Sequence, residues 1–357
     1  MLPSEREGAI PPPQPGALPR AEEARAFGPS PRPHSPLPGI PYLRLRFTLQ
    51  AEEPAMLPEF QGSMLRGAFG HALRRLACSL GPEQPCATCP LRRACAYPRL
   101  FEPVRTAEPV PSFLRGIDEV ARPYVFEPRS GGGRLAPGEP LGFDLLLFGQ
   151  AVELQAYAIL AVRRMAAAGL GTRRARFRLA RAEAVAVDPL APPHLLFENG
   201  APRDVSPAPA VAPPWEPLPG PAVTLRFLTP LRLKVRDHLT DRPRFRDLAF
   251  AMLRRTLELA HAHVPGAALD WDIRPLLEKA QAVRVAAADL AWQDQERWSQ
   301  RQKTSMLLGG IVGTMTLEGD LTPFTSLLRT AEVVHLGKGA TFGLGQMKLC
   351  AAPSSSC

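Results

Sequence analysis

The sequence lacks any apolar run long enough to cross a membrane. Among its 357 residues no such run reaches the roughly 18 that a spanning helix needs. Residues 1–39 contain 11 prolines and no apolar core of the kind found in signal peptides. We therefore expect a cytoplasmic protein with no membrane partner. Its cysteines are then expected to be reduced thiols or metal ligands rather than disulfides.

Lysine is also scarce, with five lysines against 38 arginines. Together they outnumber the 34 acidic residues by nine, so the net charge is +9 and the isoelectric point about 9.7. This excess indicates an anionic partner, nucleic acid before membrane. Arginine in particular suits bidentate contacts to phosphate.

Two proline-rich stretches divide the chain. Residues 1–39 have little hydrophobic periodicity and are predicted to form a disordered arm. Residues 191–220 are predicted to be a linker between domains. The resulting boundaries are an N-terminal domain over 40–190, a C-terminal domain over 221–351 and a tail over 352–357.

The N-terminal domain alternates strands with helices. Strict alternation of apolar and polar residues predicts a strand over 42–49. A helix is predicted over 59–80, followed by a cysteine-rich insertion over 78–103. A strand over 141–148, a helix over 151–168 and a strand over 177–187 complete an α+β unit of ferredoxin-like type.

The C-terminal domain repeats this order. The predicted strands span 223–235, 311–317 and 346–350, and the predicted helices span 245–263 and 321–330. Two similar α+β halves in one chain indicate an internal duplication. The predicted fold is therefore two ferredoxin-like domains in tandem, with the cysteine-rich insertion in the first.

A glycine-rich segment, defined here as residues 337–345, precedes the last strand. Gly337, Gly339, Gly343 and Gly345 alternate with Lys338 and with apolar residues. Main chain without side chains allows a bulky anion to approach its N–H groups, so these glycines are predicted to bind a polyanion. The alternative is a glycine-rich turn or bulge at the end of a sheet.

Three segments resemble a known family. They are residues 64–74 (MLRGAFGHALR), residues 298–349, and the pattern Cys86-x2-Cys89-x5-Cys95-x-Tyr97 with its continuation to Pro103. Taken together, in their order along the chain, they resemble the CRISPR-associated precursor-RNA processing endoribonucleases of the RAMP superfamily. The resemblance implies two ferredoxin-like domains, a glycine-rich loop that holds RNA, and cleavage of CRISPR repeat RNA without a catalytic metal ion. The same fold also serves RNA-binding subunits of effector complexes that do not cleave.

Cleavage without a metal ion has two requirements. One group must transfer protons, and positively charged side chains must stabilise the negatively charged transition state. Histidine suits the first role because its ordinary pKa lies near neutrality. His71 is the first candidate, since it falls on the polar half of the first helix beside Gly67 and Gly70. The alternative is an exposed histidine on an ordinary polar face. His335 is the second candidate, with Lys338 beside it, and its alternative is a histidine that fixes the loop by hydrogen bonding.

Basic residues near these segments are predicted to contact RNA. They are Arg66 and Arg74 on the first helix, Arg174 and Arg176 on a basic strip before a strand, and Arg301 and Lys303 before the glycine-rich segment. For the strip, a solvated strand face is the equal alternative.

Four cysteines lie within 18 residues of one another: Cys78, Cys86, Cys89 and Cys95. The Cys-x2-Cys spacing is typical of tetrahedral zinc, and an iron–sulfur cluster uses the same thiolates. A structural zinc ion or iron–sulfur cluster is therefore expected here, with free thiols as the alternative.

Overall fold

The computed structural model describes residues 37, 39–81, 83–105, 110–111, 114, 119–186, 190–203, 217–267, 269, 273–299 and 304–352, without the side chains of 297–299 and 304–305. The predicted arm and tail therefore lie outside the described residues, except for Leu37, Gly39 and residue 352. The predicted RNA contacts Arg301 and Lys303 lie outside them as well.

The first domain contains eight strands and three helices in its described part. The strands are β1 (Tyr42–Ala51), β2 (Ala55–Leu57), β3 (Tyr124–Pro128), β4 (Gly133–Leu135), β5 (Pro140–Phe148), β6 (Phe177–Val185), β7 (His194–Glu198) and β8 (Ala201–Pro202). The helices are α1 (Gln61–Ala77), α2 (Ala96–Phe101) and α3 (Gln155–Ala168).

These strands form an antiparallel sheet in the order β3-β5-β1-β6-β7-β8. Alternate residues of β1, namely Leu45, Phe47 and Leu49, are fully buried in a core shared with α1 and α3. The main elements follow the ferredoxin-like order along the chain, which is β1, α1, β3, β5, α3 and β6. The first strand, β1, lies in the middle of the sheet, as that fold requires. This domain of the predicted fold is confirmed.

The second domain contains the remaining described elements. Its strands are β9 (Ala222–Leu231), β10 (Lys234–Val235), β11 (His238–Leu239), β12 (Arg284–Gln293), β13 (Glu296–Ser299), β14 (Thr304–Leu307), β15 (Gly310–Glu318) and β16 (Met347–Ala351). Its helices are α4 (Phe245–His263), α5 (Arg274–Ala282) and α6 (Thr325–Val334). The main sheet has the order β12-β15-β9-β16, which repeats the order β3-β5-β1-β6 of the first domain. The tandem ferredoxin-like fold is therefore confirmed.

Two of the segments that differ from the sequence-based expectation show how strand pairing decides local structure. Part of the predicted linker, His194–Glu198, pairs with β6 as strand β7, because Leu196 and Phe197 are buried in the first core. Strand β12 carries no strong strand signal, because Arg284–Gln293 contains four alanines and no regular alternation. Pairing with β15 therefore decides its conformation.

The two domains share buried surface. Val125, Leu146 and Phe148 point away from the first core and join the apolar core of the second domain. Successive side chains of a strand point to opposite faces, so one sheet of the first domain contributes to both cores. No described helix is both long and apolar enough to span a bilayer.

Candidate active site

His71 lies on the exposed side of helix α1. Leu65, Phe69 and Leu73 recur every four residues on the opposite side and are fully buried. The placement of His71 therefore follows from the apolar pattern that anchors the helix. An imidazole in this position is accessible to a large ligand such as RNA.

Two glycines on α1 have different surroundings. A Cβ at Gly70 would overlap the ring of Phe101, so Gly70 is needed for packing within the protein. A Cβ at Gly67 would meet no atom within 4 Å. Glycine in a helix interior lowers stability by about 1 kcal/mol relative to alanine. Packing against the protein does not explain the presence of a glycine at position 67. Gly67 leaves open main chain one turn before His71.

Guanidinium groups surround the exposed side of α1. Arg74 and Arg75 follow His71 by three and four residues, a spacing that places side chains on neighbouring positions of a helix. Arg164 on α3 donates a hydrogen bond to the carbonyl oxygen of Arg75 at 3.4 Å. The side chain of Arg74 also contacts the cysteine-rich segment, with its guanidinium 5.7 Å from the ring centre of Tyr97. The face around His71 is therefore positively charged.

Arg66 is held inside the protein surface by aromatic side chains. Its guanidinium carbon lies 4.5 Å from the ring centre of Phe101 and 5.0 Å from that of Phe342, and its Nε donates to the Tyr124 hydroxyl at 3.2 Å. Phe342 belongs to the glycine-rich segment, so Arg66 connects that segment to α1. The structure brings these two predicted regions together. Five residues of helix set the side chains of Arg66 and His71 about 140° apart, so His71 does not face Phe342.

The glycines of the glycine-rich segment approach the protein's own main chain. A Cβ at Gly343 would overlap the carbonyl oxygen of Phe126, and one at Gly345 would overlap that of Leu336. Both residues have positive φ, 88° and 71°. The amide of Gly345 donates to the Pro230 carbonyl at 3.1 Å. A glycine-rich turn at the end of a sheet, the alternative predicted for this segment, therefore accounts for both glycines.

The other glycines of the segment also have protein neighbours. A Cβ at Gly337 would lie 2.5 Å from the Arg232 carbonyl oxygen, and one at Gly339 would lie 2.9 Å from a methyl group of Leu344. Lys338 is exposed, although its amide donates to the Arg232 carbonyl at 2.9 Å. RNA binding at this segment remains a prediction, and Lys338 is the charged side chain there that a ligand can reach.

His335 is completely buried and hydrogen-bonded at both ring nitrogens. Its Nε2 lies 2.9 Å from Oε1 of Glu127, and its Nδ1 lies 3.2 Å from the carbonyl oxygen of Leu344. This arrangement matches the alternative in which His335 fixes the loop, because an interior imidazole cannot contact RNA unless the fold opens. The structure thus separates His335 from the exposed His71.

Glu127 is the centre of a buried ionic network. Burial alone would raise its pKa, but the hydrogen bond with His335 and the charge of Arg44 lower the pKa to about 2. Arg44 pairs with Glu127 and, at 3.3 Å, with Asp144, which also accepts from Arg46 at 3.1 Å. The network includes residues of β1, β3, β5 and the end of α6, so it links the two domains.

The basic strip before β6 has the predicted alternation. Arg176 and Arg178 are exposed, and Phe177 and Leu179 are buried. The amide of Arg176 donates to Glu53 at 2.7 Å, and the side chain of Arg178 donates to Gln50. Arg174 is exposed with a φ of 52°. Partial neutralisation by Glu53 weakens this strip as an anion site, and its contact with RNA stays a prediction.

The four clustered cysteines line one small cavity beside Arg74 and Tyr97. All four are half-buried and free. Within the described ranges no three His, Cys, Asp or Glu side chains come together in an arrangement that could hold a metal ion. The thiol of Cys78 instead contacts the Gly81 carbonyl at 3.1 Å, and that of Cys95 contacts the Ala77 carbonyl at 3.7 Å. The expected zinc ion or iron–sulfur cluster is therefore unsupported.

Two residues of this face, Arg75 and Arg164, are not among the RNA contacts predicted from the sequence. Arg164 reaches α1 from α3, and its sequence neighbourhood, Val162-Arg163-Arg164-Met165, looks like the polar side of any amphipathic helix. Only the packing of α3 against α1 places it beside Arg75.

Comparison with known families and structures bears on both domains. Residues 225–347 match the family model of the CRISPR-associated endoribonuclease Cas6, and residues 40–210 match a family model described as an N-terminal domain. A comparison with curated proteins gave no match.

Several solved structures are similar. The product complex of Cas6 (TTHB231) is 20% identical, with 87% of this chain and 99% of that chain covered and a TM-score of 0.50. Thermus thermophilus Cas6 (TTHB231) is 19% identical over the same shares, with a TM-score of 0.49. A partial Cas6-RT-Cas1–Cas2 complex is 14% identical over 90% of this chain and 48% of that chain, with a TM-score of 0.49.

At 20% identity, the similarity to the product complex shows that this chain shares the fold of that Cas6 structure. The family match in the second domain and that fold agree with the resemblance noted from the sequence. The C-terminal domain carries the match to the Cas6 endoribonuclease model, and the resemblance of the chain to CRISPR-associated RNA-processing endoribonucleases is confirmed.

Proposed function

We propose that this protein is an endoribonuclease that cleaves CRISPR repeat RNA and yields mature CRISPR RNA. The observation that carries the proposal is the exposed His71 beside the open main chain of Gly67, within a face that bears Arg74, Arg75 and Arg164. The Cas6 family match and the description of a similar structure as a product complex support an RNA substrate.

The proposed reaction uses the substrate's own 2′-hydroxyl as the nucleophile. The 2′-oxygen attacks the adjacent phosphorus and loses its proton, and the 5′-oxygen leaves and gains one. The products are a 2′,3′-cyclic phosphate and a 5′-hydroxyl, and no metal ion takes part. His71 transfers one of these protons, and the nearby arginines stabilise the extra negative charge of the transition state. DNA lacks the 2′-hydroxyl and is not cut.

The test is cleavage of a cognate repeat RNA in EDTA. We expect cleavage by the native protein and none when the nucleotide at the cut site is 2′-deoxy. His71→Ala should lower the single-turnover rate by about 10²–10⁴-fold, the usual contribution of a positioned acid or base. The matched control is His194→Ala, an exposed histidine on β7, which should cleave at the native rate.

Two results would contradict parts of this proposal. An unchanged rate for His71→Ala would show that another group transfers the proton. Failure to cleave any cognate repeat without metal would leave the second candidate, a non-catalytic RNA-binding subunit of a CRISPR effector complex. The burial of His335 favours that candidate, since it removes one of the two predicted histidines from contact with RNA.

A further inference from the structure

A cavity of about 560 Å³ opens on the second domain, at the start of helix α4. Its volume lies in the range of ordinary ligand sites, about 300–1,000 Å³. Three arginines line it: Arg236 from the β10–β11 hairpin, and Arg244 and Arg246 from the beginning of α4. None of the three belongs to the site around His71.

The charge in this cavity is only partly neutralised. Arg244 forms an ion pair with Asp247 at 3.1 Å, and this carboxylate also accepts from the Arg244 amide. Asp237 contacts Lys234 at 3.7 Å. Among the described residues, no acidic side chain forms an ion pair with Arg236 or Arg246, although the charge of Arg246 contributes to the lowered pKa of Asp247. Nε of Arg246 is buried without a hydrogen-bond partner. Two guanidinium groups are therefore available to an anion.

The hairpin presents Arg236 in an unusual conformation. Arg236 and Asp237 form the two-residue loop between β10 and β11, with φ of 48° and 68°. Such loops favour Asn-Gly or Asp-Gly, because both loop positions have positive φ. Glycine adopts positive φ without strain, and Asn and Asp tolerate it better than other residues with a Cβ. A large charged residue held at such a position is typical of a functional contact.

The remaining lining is mostly apolar, and Gln281 is its one polar side chain. Phe245 and Val283 are buried in the cavity wall, and Val285 lies beside them. An RNA duplex keeps its bases stacked inside and offers mainly phosphates and ribose hydroxyls, whereas an unpaired strand also offers its bases. Apolar walls combined with free guanidinium groups suit an unpaired nucleotide, since guanidinium planes both bind phosphate and stack on bases.

We propose that this cavity binds an unpaired, single-stranded segment of the RNA substrate, away from the cleavage face on α1. This inference rests on the proposed function for the identity of the substrate. It adds a second contact region, in which Arg236 and Arg246 bind the phosphates of nucleotides outside any hairpin.

The test measures binding rather than cleavage, so it does not depend on catalysis. Full-length protein with Arg236→Asn and Arg246→Gln is compared with native protein for a repeat hairpin that carries a single-stranded flank. Asparagine tolerates positive φ, so the hairpin turn is retained. We expect affinity for the flanked RNA to fall on the order of tenfold at moderate salt. The slope of log affinity against log salt should decrease by about 1.4, because each phosphate contact in a single strand contributes about 0.7.

Matched controls identify the source of any loss. The bare hairpin should bind both proteins equally. Arg254→Gln removes an arginine from the same helix about 12 Å further along, where it pairs with Glu258, and should bind the flanked RNA like native protein. Arg236→Lys with Arg246→Lys keeps the charge and should restore most of the salt slope. Should the double variant fail to fold, as judged by its thermal transition, Arg236→Asn alone at the exposed turn serves instead.

Unchanged affinity and salt slope for the flanked RNA would overturn the inference. An equal loss for the bare hairpin would also overturn it, because the cavity would then contact the duplex. Failure of the proposed function looks different: the native protein would bind no repeat RNA at all, or would bind it and not cut it.

Discussion

At the scale of single residues, Gly67 and Gly70 show why a glycine needs its surroundings to be interpreted. They lie three residues apart on one helix, and the sequence pattern places both beside His71 on the polar half of that helix. Gly70 instead packs against Phe101, whereas Gly67 has nothing within 4 Å of the position of a Cβ. Only Gly67 therefore carries the argument for an open surface beside His71.

Gly67→Ala tests this difference. The added methyl group meets open space, so we expect the free energy of unfolding to rise by about 1 kcal/mol through higher helix propensity. If RNA lies against this face, the same change should weaken RNA binding or slow cleavage. Urea denaturation measures the first effect, and an RNA-binding titration measures the second.

Gly70→Ala is the matched control for this substitution. It has the same gain in propensity, but the new Cβ overlaps the Phe101 ring, so we expect lower stability. Higher stability of Gly67→Ala with fully native RNA binding and cleavage would refute the idea that RNA contacts this face.

At the scale of elements, the glycine-rich segment is a packed turn between α6 and β16. Its tip carries Phe342, which contacts Arg66 on α1. Its C-terminal end bonds to strand β9, where the Thr229 hydroxyl donates to the Gly343 carbonyl and the Pro230 carbonyl accepts from the Gly345 amide. A segment fixed on both sides holds Lys338 in a defined position. Rigidity of this kind suits a site that must orient a flexible strand.

Gly345→Ala should disrupt this turn. The substitution adds an overlap with the Leu336 carbonyl to the strain of a positive φ, so we expect a loss of 2 kcal/mol or more, on the order of a severe core substitution. Gly200→Ala is the control, because Gly200 also has a positive φ of 92° but has nothing within 4 Å of a Cβ. Its cost should be near 1 kcal/mol. Equal losses of stability in the two variants would show that the segment is not tightly packed.

At the scale of the whole molecule, buried polar groups join the two domains. His335 of the second domain contacts Glu127 of the first, and Nε2 of His263 lies 2.6 Å from the carbonyl oxygen of Ala121. Both histidines are buried, so their partners cannot be replaced by water without opening the interface. The relative placement of the domains therefore depends on a small number of interior contacts.

His263 makes this interface sensitive to acid. Its pKa is lowered to about 4, mainly by burial, which the charge of Arg255 reinforces and the hydrogen bond with Ala121 partly opposes. Below pH 6.5 the unfolded chain binds a proton that the folded protein does not accept. The neutral His263 side chain therefore contributes fully to stability above about pH 6.5. As the pH falls from 6.5 toward 4, the free energy of unfolding decreases by roughly 3 kcal/mol.

Unfolding free energies measured between pH 7 and 4 check this expectation. His263→Gln retains a donor for Ala121 but cannot titrate, so the part of the decline due to His263 should disappear. His194→Gln, at an exposed position, should show the native decline. A native pH dependence in His263→Gln would show that other groups cause the acid sensitivity.

The sequence by itself determined the elements that rest on local pattern. Alternation in β1 and the four-residue spacing of Leu65, Phe69 and Leu73 in α1 specify which faces are buried. These patterns predicted the tandem ferredoxin-like fold and the exposure of His71. They depend only on the period of each element, which neighbouring residues set.

Tertiary packing decided what local pattern could not. It placed His335 in the interior against Glu127, added strand β7 to the first sheet, and brought Arg164 beside Arg75. It also supplied the protein neighbours of Gly343 and Gly345. Each of these contacts joins residues distant in sequence. Their free energy depends on burial and shape at the meeting point, which no stretch of the chain encodes alone.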